Sequence, residues 1–258
     1  MKTKPMLLAA TLMAGGACDA LADTYAIYEL PNSMSPGESE RYAVYLQDES
    51  HVRLEPLSQG RGDEITIPMY QIKTDQGWYL INKSNGAVAR ASSLTRNVES
   101  DLDNAQQTIM AKMRERGIEI PEQAFQQEPP AEEAPLSLSY SDLNRTQAVA
   151  GVPGHVFKFS AEGESVEAIV TDDARVTAVF NVFSEGLMAS HNASSPSFGE
   201  VMTAWKTSAS KTGYPGLLDS PLARLTKLGT VTKPDAFYAI PGNAKMTDSP
   251  GAFFVPGE

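Results

Sequence analysis

AVAGVPGHVFKFSAEGESVEAIVTDD, residues 148–173, reads as two β-strands joined by a short acidic turn and ended by a Thr-Asp-Asp corner. His155, Phe157 and Phe159 alternate with Val156, Lys158 and Ser160, the two-residue period of a pleated strand. Glu162-Gly163-Glu164 supplies the reversal, because glycine accepts the backbone angles a tight turn needs. On the return, Val166, Ala168 and Val170 alternate with Glu167, Ile169 and Thr171. The hairpin predicts an antiparallel sheet with Phe157 and Phe159 on one face. That face needs a core or a ligand against it. His155 and Asp172-Asp173 lie within the hairpin, and a strand start and a strand-end turn account for them.

Working outward, residues 25–30, 41–46, 51–55, 64–74 and 77–83 carry further strand signals and predict an antiparallel meander. Asn85-Gly86 predicts a type I′ reversal, since both central residues of that turn need positive φ. Several strands are apolar on both faces: Tyr25 and Ile27 oppose Tyr28 and Leu30, and Trp78 and Leu80 oppose Tyr79 and Ile81. Leu94, Val98, Leu102, Ala105, Ile109 and Met113 form one stripe of a helix that must pack on the sheet. Residues 121–135 are acidic, proline-rich and nearly free of apolar side chains, as in a long loop or linker.

Beyond the hairpin, residues 176–183 are apolar on both sides and fit a buried strand or the start of a helix. Phe198, Val201, Met202 and Trp205 follow Pro196 at helical spacing. Residues 222–228 alternate again, residues 235–240 lead into Pro241-Gly242, and residues 243–258 read as an irregular C-terminal tail.

The N-terminus points to export. Lys2 and Lys4, an apolar run over residues 6–14 and the ending Ala20-Leu21-Ala22 have the order of a signal peptide, with cleavage expected after Ala22. The run is too short to span a bilayer, which takes ~20 residues. Cys18, the one cysteine, allows a lipoprotein alternative. Cleavage at Ala22 removes Lys2, Lys4 and Asp19, so the formal charge goes from −11 to −12. Such a surface repels nucleic-acid phosphates and anionic headgroups. The mature chain then has no cysteine, which removes disulfides and thiol chemistry together.

No catalytic constellation appears, and no metal or cofactor motif. His51, His155 and His191 are isolated, and no G-x-S-x-G elbow or phosphate-binding glycine loop occurs. Asp101 and Asp103 would lie about 200° apart around a helix and cannot share a metal. Arg61-Gly62-Asp63, a short adhesion-type match, and the sequons at Asn144 and Asn192 are too common as tripeptides to define a function.

Residues 150–155 leading into Val156-Phe157-Lys158-Phe159, the partner run 167–173 and the run 237–242 together resemble a family of exported bacterial proteins of uncharacterised function. Their domains look like the periplasmic lipoprotein-carrier fold; Ile169 stands where that family often has an aromatic. The resemblance implies an α+β fold: a curved antiparallel sheet, an unclosed half-barrel, covered by a few helices across residues 23–242. Residues 237–242 would form a closing strand. The family offers no catalytic residue. The resulting expectation is a periplasmic, non-catalytic protein that binds an apolar ligand, a lipid or lipoprotein acyl chain, in a concave sheet. Phe157, Phe159, Trp78 and Trp205 are the candidate lining residues, with simple core packing as the competing reading. The alternative function is an envelope structural or interaction protein with a filled core and no small ligand, for which an envelope protein is the expected partner. No cofactor, nucleic acid or membrane span is expected in the mature chain.

Overall fold

The computed structural model describes residues 22–31, 38–57, 69–94, 137–161, 163–191, 196–249 and 252–253, with backbone alone at 191 and 196–198. The stripe over residues 95–113, the segment 121–135, Arg61-Gly62-Asp63, Cys18 and the proposed signal peptide up to residue 21 lie outside the described residues.

Among the described residues twelve strands form one unclosed, curved, mostly antiparallel sheet with helices on one face, consistent with the α+β half-barrel that the resemblance implies. In chain order the strands are β1 (Asp23–Pro31), β2 (Ser39–Asp48), β3 (His51–Pro56), β4 (Met69–Thr74), β5 (Gly77–Asn82) and β6 (Ala87–Arg90), followed by β7 (Ser139–Val149), β8 (Val152–Ala161) and β9 (Glu164–Thr171). Two helices, α1 (Ala174–His191) and α2 (Pro196–Thr212), precede β10 (Gly216–Asp219), β11 (Arg224–Val231) and β12 (Lys245–Met246). The spatial order is β12-β6-β5-β4-β3-β2-β1-β11-β10-β9-β8-β7. Thus β1 to β6 make a meander, and β1 joins it to the C-terminal half by pairing with β11.

The opening hairpin forms with Phe157 opposite Ala168 and Phe159 opposite Val166, and Gly163 turns it at φ +89°. The type I′ geometry lies elsewhere than expected. Val149 pairs with Val152 across Ala150 (φ +50°) and Gly151 (φ +81°), so both central residues of that turn have positive φ. Between β5 and β6 the connection is longer, residues 83–86, and Asn85 is not left-handed. There Asn82 Oδ1 accepts from the Ser84 N–H (2.9 Å) and hydroxyl (2.6 Å), and Asn85 Oδ1 accepts from the Ala87 N–H (2.8 Å). These side-chain bonds stabilise a wider loop and displace the two-residue turn.

The apolar run 176–183 is helix. Val176, Val179, Phe180, Phe183 and Leu187 recur at helical spacing and are at most 1% exposed. Asp173 caps this helix: its Oδ1 accepts from the Arg175 N–H at 2.9 Å, and the Arg175 guanidinium beside it holds its carboxyl below the usual carboxylate range. On α2, Met202, Trp205 and Ala209 point inward. The helix is tied to β7 by the Tyr140 hydroxyl donating to Lys211 O (3.1 Å), and to the residue just before that strand by the Ser208 hydroxyl donating to Leu138 O (3.0 Å).

The expected closing strand at 237–242 does not form. A 3₁₀ turn, Asp235–Phe237, stands there instead, and β11 closes against β1. Pro234 and Pro241 bracket the stretch and cannot donate to a ladder. Its aromatics are used separately, Phe237 against Arg53 and Tyr238 against Asp23. From Pro234 the chain crosses the face opposite the helices as a strap, pairs β12 in parallel with β6, and buries Phe253 completely on the helix side. The C-terminal stretch read as an irregular tail therefore wraps the sheet edge.

Candidate functional site

The helix face carries the four aromatic candidates. Phe157 is 4% exposed and Phe159 and Trp205 are each 1% exposed. Trp205 lies over Phe159 with ring centroids 4.4 Å apart at 43°, and Phe157 packs beside Phe159 at 6.2 Å. His155 stacks on Tyr214 at 4.2 Å, so it belongs to the same aromatic layer. Trp78 sits apart from these three, eight positions along the sheet on β5. It packs under α1 at Gly186, where an added Cβ would lie 3.0 Å from the indole ring. Between them Tyr28 stacks on Phe183 (4.6 Å, 9°) and donates its hydroxyl to Leu217 O (3.1 Å); burial pushes that phenol far above its ordinary pKa. Three of the candidates converge, and side chains already occupy the space they enclose.

Among the described residues two buried side-chain polar atoms have no partner: Trp205 Nε1 and Gln71 Oε1. A buried unpaired donor or acceptor costs ~1–3 kcal/mol. Near Gln71, Lys73 donates to Glu185 at 2.7 Å and pins β4 to α1.

The opposite face holds a second apolar cluster, Tyr70, Ile72, Tyr79, Ile81 and Val88, and the strap covers it with Ile240 and Ala244. The strap is clamped at its start. The Arg53 guanidinium lies between the rings of Tyr70 (3.8 Å) and Phe237 (4.2 Å), pairs with Glu55 and donates to Phe237 O at 3.0 Å. Beside it the Tyr238 hydroxyl donates to buried Asp23 at 2.6 Å, and burial together with that carboxylate raises its pKa. At the far end the Asn82 amide donates to Phe253 O at 2.8 Å.

Where the strap meets the β2–β3 and β4–β5 turns it leaves an open pocket of about 500 Å³. His51, Asp75, Gln76, Tyr79, Asp235 and Ile240 are among its lining residues. His51 Nδ1 is held by Asp48 at 2.8 Å, and Tyr79 donates its hydroxyl to Gln76 Oε1 at 3.1 Å. A smaller pocket of about 380 Å³ lies near Gln147, Glu167 and Asp219. Among the described residues no three His, Cys, Asp or Glu side chains come together to hold a metal. Of the histidines, His51 and His155 are partnered as above, and the side chain of His191 lies outside the described residues.

Neither pocket was legible as a site in the sequence. Each is assembled from turns remote in the chain, with no motif spacing to announce it. The strap did leave a signal: Phe237, Tyr238 and Phe253 are large aromatics in a stretch otherwise rich in glycine and proline. Comparison with protein-family models, curated proteins and solved structures finds no match to this chain.

Proposed function

We propose that this protein is an exported, non-catalytic envelope protein that works through its surface, as a structural or interaction protein with a filled core. The observation that carries this reading is the near-complete burial of Phe157, Phe159 and Trp205 against one another and under α2. The aromatic face that would receive an acyl chain is already filled by protein. The basic start, apolar run and Ala-Leu-Ala ending support export. No described helix is long and apolar enough to cross a membrane. The test is mass spectrometry of an organic extract of natively purified protein. The reading expects no lipid at stoichiometric amount; an acyl lipid recovered one per chain would overturn it.

One observation favours the apolar carrier as a second reading. The indole N–H of Trp205 is buried on the helix face without an acceptor. A ligand carbonyl or carboxylate entering between α2 and β8 would supply one. This reading requires α2 to move away from Phe159 on loading.

A further inference from the structure

The pocket on the strap face is built from three segments far apart in the chain: Ser50 and His51 at the β2–β3 turn, Thr74 to Gln76 at the β4–β5 turn, and the strap from Asp235 to Ile240. Its floor is closed by two tyrosines whose hydroxyls are already used. Tyr79 is 4% exposed and engages Gln76 and Arg90; Tyr238 is 1% exposed and engages Asp23. The wall groups keep capacity to spare. The Asp75 carboxylate has no hydrogen-bond or ionic partner, and the Asp235 carboxylate accepts only a long bond, 3.4 Å, from Gln47. The Gln76 side-chain Nε2 has no acceptor, since that side chain is engaged through its Oε1. Ala236, Ala239 and Ile240 add an apolar side.

Those groups restrict the occupant. Two carboxylates with free lone pairs oppose an anion. Burying them under an acyl chain would leave charges without partners. A ligand that fits must donate to Asp75 and Asp235, accept from Gln76, and lay a small C–H face on Ala236 and Ile240. It must also be neutral or cationic. A volume of about 500 Å³ lies within the small-ligand range. Hydroxyls spaced around a ring with apolar faces meet all of these demands. We infer that this pocket binds a saccharide, neutral or bearing an amino group. The inference rests on the reading of the protein as one that works through its surface, and it names the chemistry of one such contact. A sugar held there bridges the strap to two turns of the sheet and ties down the segment that covers Tyr70 and Ile81.

The test is a two-dimensional ¹H–¹⁵N titration of the full exported chain with two soluble probes, an N-acetylglucosamine trimer and a glucose trimer. At least one of them is expected to shift the amides of Ser50, His51, Asp75, Gln76, Ala236 and Ala239 saturably. Asp75→Ala should weaken that binding about tenfold or more, the effect of one lost charge-assisted hydrogen bond. Asp75 sits in an exposed turn, so an unchanged spectrum away from the pocket verifies folding of the variant. Gln147→Ala, in the other pocket, should titrate like the parent. The inference is overturned if neither sugar shifts these amides, if Asp75→Ala binds like the parent, or if spermidine shifts them when the sugars do not. The functional reading fails separately, on lipid in the organic extract.

Discussion

Among the described glycines, Gly154 is the one at which an added methyl group meets the tightest surroundings. It lies on β8 opposite Gln147, in the strand that carries Phe157 and Phe159. A Cβ built there would lie 2.6 Å from Leu218 Cδ1, 2.7 Å from Ile169 Cγ2 and 2.9 Å from the carbonyl oxygen of Val170. Leu218 is fully buried and Ile169 is 7% exposed, so neither side chain has free space to enter. The third contact is backbone in the paired strand β9, and relieving it means shifting the ladder. Overpacking of this kind costs ~1–3 kcal/mol. The φ of Gly154 is ordinary, so alanine also gains roughly 0.4–1 kcal/mol by restricting the unfolded chain. The balance for Gly154→Ala is a net loss of ~1–2 kcal/mol. Urea denaturation followed by circular dichroism reads it as a lower midpoint at unchanged slope. Gly163→Ala gives the contrast: nothing lies within 4 Å of its Cβ, but φ is +89°. Asparagine, which tolerates left-handed backbone, should recover part of that loss at 163 and none at 154. A Gly154→Ala protein as stable as the parent would refute the packing argument.

Three further outcomes follow from the same geometry. Asp173→Ala removes the cap of α1 and should cost ~1 kcal/mol near neutral pH. Because Arg175 and the helix N–H groups depress the folded pKa of Asp173, this contribution is present above the ordinary carboxylate range and fades as pH falls through the lower folded value. The parent and variant denaturation midpoints should therefore converge in acid. Ala150→Asn places a residue that tolerates φ +50° in the β7–β8 turn and should raise stability by roughly 0.5–1 kcal/mol, read from the thermal midpoint. Phe159→Ala should cost ~3–5 kcal/mol and leave a cavity under Trp205 that takes up benzene, detected as ligand-dependent stabilisation absent in the parent.

The parts of the fold written locally were legible. Alternation in residues 152–171 and a glycine at the reversal specify the hairpin, and the recurrence of Val176, Val179, Phe180 and Phe183 is compatible with a helix once Asp173 is seen as its cap. The positions of both-faced apolar strands were also legible, but their meaning was not. Tyr79 and Ile81 oppose Trp78 and Leu80 because the sheet is covered twice, by α1 on one side and the strap on the other. That cover comes from residues 234–249, about 160 positions later, and no local pattern records so distant a pairing. The reversed expectation for 237–242 has the same origin: Phe237 and Tyr238 look like strand residues until Arg53 and Asp23 are placed beside them. The candidate aromatics show the limit from the other direction. Sequence identifies Phe157 and Phe159 as large apolar groups on one face of a strand and Trp205 as one on a helix, while only the packing of α2 brings them together and decides whether protein or ligand meets them.

The filled helix face is the central claim, and a titration of delipidated protein with a fluorescent fatty acid tests it most directly. With Phe159 and Trp205 in contact at 4.4 Å between ring centroids, the account predicts no saturable binding and unchanged Trp fluorescence. Saturable one-to-one uptake that quenches Trp205, and is lost in Trp205→Phe, would contradict it.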